Sequence, residues 1–146
     1  MIRPYEVTDK DEVINLIKLN TPKYFAFEEE ADLIEYLEKK RQLYYVLIFE
    51  GKLVGCGGIN FTDDNTTATI SWDIFHPNFH CRGLGTRMLK YRIDKLSALA
   101  TIEKIVVRTT QITYKFYQKY GFELVEIKKD YWAVGFDLYH MNLAVT

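Results

Sequence analysis

"ISWDIFHPNFHCRGLGTRMLKYRIDKL", residues 70–96, is the stretch whose reading decides the fold. Its first six residues, Ile70–Phe75, are rich in apolar and aromatic types and stop at His76-Pro77, as a strand does. From Leu84 onward the apolar residues are Leu84, Met88, Leu89, Ile93 and Leu96, the spacing of one helix face, and the helix is expected to run to about Ala100. Gly83 and Gly85 stand at the junction. The run "EKIVVRT" that follows is a second strand. A strand, a helix and a strand in this order form a parallel pair joined by a right-handed crossover.

The flanks extend that unit. "IRPYEV" is a short strand, after which Thr8 is placed to N-cap a helix carrying Val13, Leu16 and Ile17 inward. A second helix is expected from about Glu28 to Arg41, acidic in its first turn and basic in its last, with Leu33, Ile34 and Leu37 buried. The glutamate run at its start reads either as helix-end charge or as a patch for a cationic substrate. "QLYYVLIFE", the turn "EGK" and "LVGCGGINF" form a hairpin, and "TTATISWDIF" the next strand. "ITYKFYQKY" is a short helix closed by Gly121 at its C′ position. "FELVEIKK" and "DYWAVGFDLYHMNL" are the last two strands. The order is β-α-α-β-β-β-α-β-α-β-β: an α/β chain with a mixed sheet and helices on both faces.

Composition narrows what such a chain does. Its 146 residues suit one domain over 1–146 with a core of its own. With 19 Lys plus Arg against 20 Asp plus Glu, a net charge of -1 offers no electrostatic footprint for nucleic acid or an anionic membrane. Cys56 and Cys81 form no C-x-x-C and have no His cluster nearby, which predicts free thiols and no metal. The opening "MIRPYEVTDKDEV" carries no apolar h-region, and no run approaches the roughly 18 apolar residues of a membrane span. The expected location is the cytoplasm.

The glycine loop lacks both common phosphate signatures. No G-x-x-x-x-G-K-[ST] string exists, and the third glycine of a dinucleotide fingerprint is replaced by Met88, or by Asn60 if "GCGGIN" is tried instead. The glycines of "GCGG" read better as a bulged strand where another backbone comes close. What remains at residues 82–87 is a helix N-terminus with exposed N–H donors, glycines that admit an anion, and Arg82 and Arg87 nearby. On the loop alone, an anion site and a tight turn without ligand are both open.

Two motifs in order settle the resemblance. "HCRGLGT" resembles the R/Q-x-x-G-x-G/A signature of the GCN5-related N-acetyltransferases, the GNAT family, and "YKFYQKYGFELVE", with Phe116, Tyr117, Gly121 and Phe122, resembles its second signature. Their separation and the whole element order also suit the family. The resemblance implies a GNAT-like acyl-CoA N-acyltransferase fold and acetyl-CoA as cosubstrate. It implies the pyrophosphate over Cys81, Arg82, Gly83, Leu84, Gly85 and Thr86, and the backbone of Asp73, Ile74 and Phe75 as the edge that pairs with the pantetheine arm. His80 stands where the family has Gln or Arg, and Thr110 where it often has Asn, so a side-chain bond to a phosphate and the amide geometry are altered there.

The implied reaction is direct attack of a primary amine, on a small molecule or a peptide, at the thioester carbonyl. It needs an oxyanion donor, for which a backbone N–H near Ile74 or Phe75 is suited. It also needs a proton for the thiolate. Tyr117 matches the family's general acid, and packing under its helix is the plain alternative. Asp73 is the candidate base, by period-two alternation on one face with Ser71 and Phe75; it also suits substrate placement or a bulge. His76, His80 and His140 are further titrating groups. Tyr24, Phe25, Phe27, Tyr131 and Trp132 are expected to shape an acceptor pocket, to fill core, or to meet a second copy in a homodimer. A different class of function is a non-catalytic GNAT-fold module binding a CoA ester as a regulatory ligand.

Overall fold

The computed structural model describes residues 1–145. A seven-stranded mixed sheet runs in the order β1-β2-β3-β4-β5-β7-β6. Its strands are β1 (Ile2–Pro4), β2 (Leu43–Phe49), β3 (Lys52–Phe61), β4 (Thr67–Phe75), β5 (Lys104–Thr109), β6 (Glu123–Ala133) and β7 (Phe136–Ala144). The helices are α1 (Lys10–Leu19), α2 (Glu29–Glu35), α3 (Leu84–Ser97) and α4 (Tyr114–Lys119). The element order is the expected one. No helix among the described residues is long and apolar enough to cross a membrane.

Each face of the sheet buries its own core. On one side Leu84, Met88, Leu89 and Leu96 of α3 and Tyr117 of α4 pack on Leu47, Val54, Ile105 and Val107. On the other, Val13, Leu16 and Ile17 of α1 and Leu33 and Leu37 pack on Val46, Cys56 and Ile74. The β2–β3 hairpin closes on Glu50 and Gly51, both at positive φ (51° and 76°), the pair of angles a two-residue turn requires to match strand twist.

Three local expectations are corrected. Thr8 does not cap α1; a 3-10 turn over Val7–Asp9 precedes it, and the Asp9 carboxylate accepts from the Glu6 N–H at 2.8 Å and from Arg3. That pairing with Arg3 holds the Asp9 carboxyl below its ordinary range. The second helix begins at Glu29 and loosens into a π-turn over Tyr36–Lys40, which leaves Ile34 half-buried while Tyr36 turns inward. The last hairpin breaks later than its residues suggest, because Asp130, at φ 53°, is an irregularity within β6 and the turn falls at Val134-Gly135.

The feature that positions the site is the meeting of β4 and β5. These strands pair in parallel over Thr67–Ile70 and Lys104–Val107, and no further. Beyond Ile70 they part. In the same stretch β4 carries a bulge against β3: Ser71 faces Gly58 and Ile74 faces Cys56, so Trp72 and Asp73 share Gly57 as partner. Trp72 takes φ 50° to accommodate the extra residue. The bulge reverses the alternation. Ser71 and Trp72 both point toward α2, where the Ser71 hydroxyl donates to Asn60 and Trp72 lies against Phe25 and Tyr36. Asp73 and Phe75 point toward α3. The expected grouping of Asp73 with Ser71 is therefore wrong, and its pairing with Phe75 holds.

Candidate active site

A cleft of about 1120 Å³ opens where β4 and β5 part. Of the residues singled out in sequence, Asp73, Ile74, Phe75, His80, Cys81, Gly83, Leu84, Gly85, Thr86, Thr110 and Tyr117 all line it. Arg82 does not; its guanidinium lies over the Phe79 ring, 5.2 Å from the centroid, in a separate surface hollow.

The loop before α3 is built from unusual backbone. Cys81 and Gly83 both have positive φ (63° and 77°), and Gly83 is the N-cap of α3 with no side-chain hydrogen bond to its first turn. The first-turn amides therefore keep their donors free of side-chain caps. A Cβ on Gly83 would meet nothing within 4 Å, whereas one on Gly85 would touch Phe116 at 3.4 Å. Gly83 is thus explained by conformation, whereas at Gly85 the contact is an ordinary one with Phe116 of α4.

Two candidate residues are engaged elsewhere. The His80 Nε2–H donates to the carbonyl of Phe75 at 2.9 Å, since a carbonyl can only accept. Asn20, buried at the end of α1, donates to the same carbonyl at 2.9 Å. That carbonyl is consequently not free for a pantetheine amide, and the His80 ring serves to close the loop on β4. The Thr110 hydroxyl accepts from the Ile112 N–H at 3.2 Å, capping the turn into α4 while still lining the cleft.

The buried chemistry centres on Asp73. The Tyr117 hydroxyl donates to its Oδ2 at 2.6 Å. Arg92 Nη1 approaches its Oδ1 at 2.6 Å, with the Arg92 side chain fully buried and that of Asp73 11% exposed. Burial, and then the neighbouring Asp73 charge, push the Tyr117 phenol well above its ordinary range. Arg92 loses some preference for its charged form to burial but is raised on balance by Asp73, so it stays a cation. Sequence reading missed Arg92. The available signal was a charged residue four positions after Met88, inside the apolar stripe of α3.

The other half of the cleft is aromatic and acidic. Tyr24, Phe25, Tyr36, Trp72 and Trp132 line it, with Glu29, Asp32 and Glu35 along α2. Phe27 and Tyr131, expected in the same pocket, are exposed and do not line it. Glu29 accepts through its carboxylate from the Ala26 N–H at 2.8 Å, in the turn before α2. It is nonetheless buried, has no ion-pair partner among the described residues, and its carboxyl is raised by that burial. A carboxyl whose folded-state pKa is raised disfavours folding above its unfolded pKa and ceases to do so below it. Glu29→Gln, which keeps the acceptor, is therefore expected to raise the melting temperature at pH 7. The gain should close near pH 4, roughly the range of a free carboxyl. Equal melting curves at pH 7 would show that the buried charge costs nothing.

The profile of the acetyltransferase (GNAT) family matches residues 10–122. The chain belongs to the GNAT family. No curated protein sequence matches it. Among solved structures, an aminoglycoside 6'-N-acetyltransferase complexed with coenzyme A superposes with a TM-score of 0.79 at 15% identity, covering 100% of this chain and 97% of that one. The ribosomal-protein-S18-alanine N-acetyltransferase from Escherichia coli gives 0.81 at 20% identity, with 100% and 94% covered. Ard1 from Thermoplasma volcanium gives 0.83 at 17%, with 100% and 97% covered. At these identities the likeness is one of fold, the GNAT acyltransferase fold. Membership supports acetyl transfer as the general activity of this GNAT chain.

Proposed function

We propose that the protein transfers the acetyl group of acetyl-CoA to a primary amine by direct attack on the thioester, with Tyr117 supplying the leaving thiolate's proton and Asp73 acting on the amine's proton. The observation that carries this reading is the convergence of the uncapped α3 N-terminus, the parted β4–β5 edge and the Asp73–Tyr117 pair on one cleft.

The residues present fit the cosubstrate. Its pyrophosphate suits the N-terminus of α3, where the amides after Gly83 and the helix dipole both favour an anion. Its pantetheine amides suit the β4 edge that β5 leaves unpaired beyond Ile70, through the peptide N–H and C=O of Asp73, since those of Ile74 face Cys56 of β3. When bound, it supplies the activated acyl group. The chain's part is to hold and orient it, to exclude water, and to manage one proton.

The acceptor we infer is a molecule that carries positive charge beside an apolar or ring surface, its attacking primary amine being neutral when it reacts. Glu29 and Asp32 supply the counter-charge, Glu35 being paired with Lys40 at 3.8 Å, and Phe25, Tyr36 and Trp72 supply faces for packing and cation–π contact. A destabilising buried carboxylate in a binding cleft is the usual trade of stability for function. Thiol release from acetyl-CoA, screened over polyamines, aminoglycosides, amino acids and N-terminal peptides, tests the reading. Cationic amines should rank above neutral ones. Coenzyme A binding without transfer to any amine would replace the enzyme by the regulatory binding module.

Phosphate recognition has its own test. Gly83→Val places a branched side chain at φ 77° on the rim of the anion loop. Coenzyme A affinity should fall at least tenfold, about 1.4 kcal/mol. Calorimetric titration that finds equal affinity in both proteins would remove the loop from the site.

A further inference from the structure

We propose that Arg92, Asp73 and Tyr117 work as one unit: Arg92 is a positioning residue that holds the Asp73 carboxylate in place, and Asp73 exchanges a proton with the Tyr117 hydroxyl during transfer. This rests on the acetyl-transfer reading above and specifies how its proton moves.

The first ground is that Arg92 is costly where it stands. It occupies the buried stripe of α3 and has no solvent exposure. Its Nε donates to Met88 O at 3.2 Å and its Nη1 to Gly58 O at 3.1 Å, while Nη2 is buried without a partner among the described residues. The guanidinium meets Asp73 Oδ1 at 2.6 Å, a tight buried ion pair. A buried pair of this kind is a poor source of stability compared with an apolar side chain of the same size. Its use is to be sought in what it touches, and Asp73 reaches the cleft through Tyr117.

The second ground is the direction of the Tyr117 hydroxyl. Its proton lies on Asp73 Oδ2, so the face it offers the cleft is its oxygen lone pairs. A buried phenol beside a carboxylate holds its proton more tightly than free tyrosine, which makes it a poor match, acting alone, for a thiolate whose thiol has a pKa of roughly 8.5. A hydroxyl that receives a proton on one side as it releases one on the other is free of that limit.

The step then balances. As the amine's C–N bond forms, its proton passes to Tyr117 Oη while the phenolic proton passes to Asp73 Oδ2. As the C–S bond breaks, Asp73 returns its proton to Tyr117 Oη and the phenol gives its own to sulfur. The net transfer is one proton from nitrogen to sulfur, the products are an amide and a free thiol, and the side chains end as they began. Groups across the sheet do not interfere: burial pushes Tyr36 and Cys56 up to about 12 and Tyr44 well above its ordinary value, so all three stay neutral.

Two readouts on the full chain test this. The first is the carbon-13 NMR titration of labelled aspartate carboxyls, with Asp73 assigned by its loss in Asp73→Asn. Arg92→Met should change the Asp73 carboxyl signal and its response to pH, and Arg92→Lys should restore both toward wild type. If Arg92→Met does not fold, Arg92→Lys against wild type carries the titration, and Arg92→Met/Asp73→Asn, with no unpaired buried charge, carries the kinetics. The second is the pH profile of kcat/KM with acetyl-CoA and the amine giving fastest thiol release. Arg92→Met should shift its acidic limb with coenzyme A affinity unchanged, Asp73→Asn should cost at least tenfold, and the double variant should be no slower than Asp73→Asn. An unmoved carboxyl titration, or single effects that multiply in the double variant, overturns the unit while transfer by wild type stands. Wild type inert toward every amine, with the titration shifted, instead overturns acetyl transfer and with it the proton exchange, while the hold of Arg92 on Asp73 survives.

Discussion

Gly57→Ala is expected to lower stability by about 3 kcal/mol, the range spanned by overpacking a core and by disturbing a buried ion pair. A Cβ at this position would lie 2.3 Å from Asp73 Oδ1 and 2.8 Å from Arg92 Nη1. The end of an aspartate side chain can ordinarily swing aside. Here Oδ1 meets the guanidinium and Oδ2 holds the Tyr117 hydroxyl, so movement breaks one contact or the other. The backbone has no slack either, because Gly57 is the single residue facing the two-residue bulge. For a chain of this size the loss corresponds to a fall of about 6–12 °C in melting temperature, taking roughly 2–4 °C per kcal/mol. Gly135→Ala is the reference: it adds only the strain of φ 85° in open space, about 1–2 kcal/mol. Thermal unfolding of both variants decides it. If Gly57→Ala melts no lower than Gly135→Ala, the Asp73–Arg92 contact is loose enough to yield, and its role in positioning goes with it.

The same glycine shows how far the sequence could be read. Hydrophobic periodicity was enough for the order of elements, because each strand and helix buries a face of its own and the pattern repeats along it. The loop before α3 was legible as a strand-to-helix turn because two glycines mark the junction, one of them at positive φ. The bulge was not. Trp72 takes a left-handed conformation without the glycine or asparagine that signals one, so Asp73 was placed on a false common face with Ser71. Gly57, set across the strand, held the only trace, and reading it required knowing its partner. Arg92 was hidden because helix stripes are read for apolar residues, and a charge within one is taken for an interruption. Thr8 failed as a cap for a local reason, Asp9 being one residue closer to the helix and paired with Arg3. The parting of β4 and β5, which creates the cleft, is a property of two strands together and has no signature in either.

Tyr117→Phe is expected to lower the rate of acetyl transfer by about 10² to 10⁴, or roughly 3 to 5 kcal/mol, the worth of a positioned proton-transfer group. The substitution deletes one oxygen. The ring should stay, since Phe116 and Phe122 pack on it edge-to-face at 5.1 and 5.8 Å and it is buried in the α3–α4 core. Stability should fall by about 1–3 kcal/mol, because Asp73 Oδ2 loses its donor in a mostly desolvated place. Coenzyme A affinity should be near wild type, as the loop before α3 and the β4 edge are untouched. The comparison with Asp73→Asn is the informative one. If the phenol acts alone as an acid, the two substitutions remove separate contributions and their effects multiply. If it acts only with the carboxylate behind it, the second substitution finds little left to remove. Product release slower than chemistry would mask either result in steady state, so the rate is to be read in a single turnover with enzyme in excess over acetyl-CoA. A single-turnover rate equal to wild type would leave Tyr117 as an aromatic of the core whose hydroxyl serves only to satisfy Asp73.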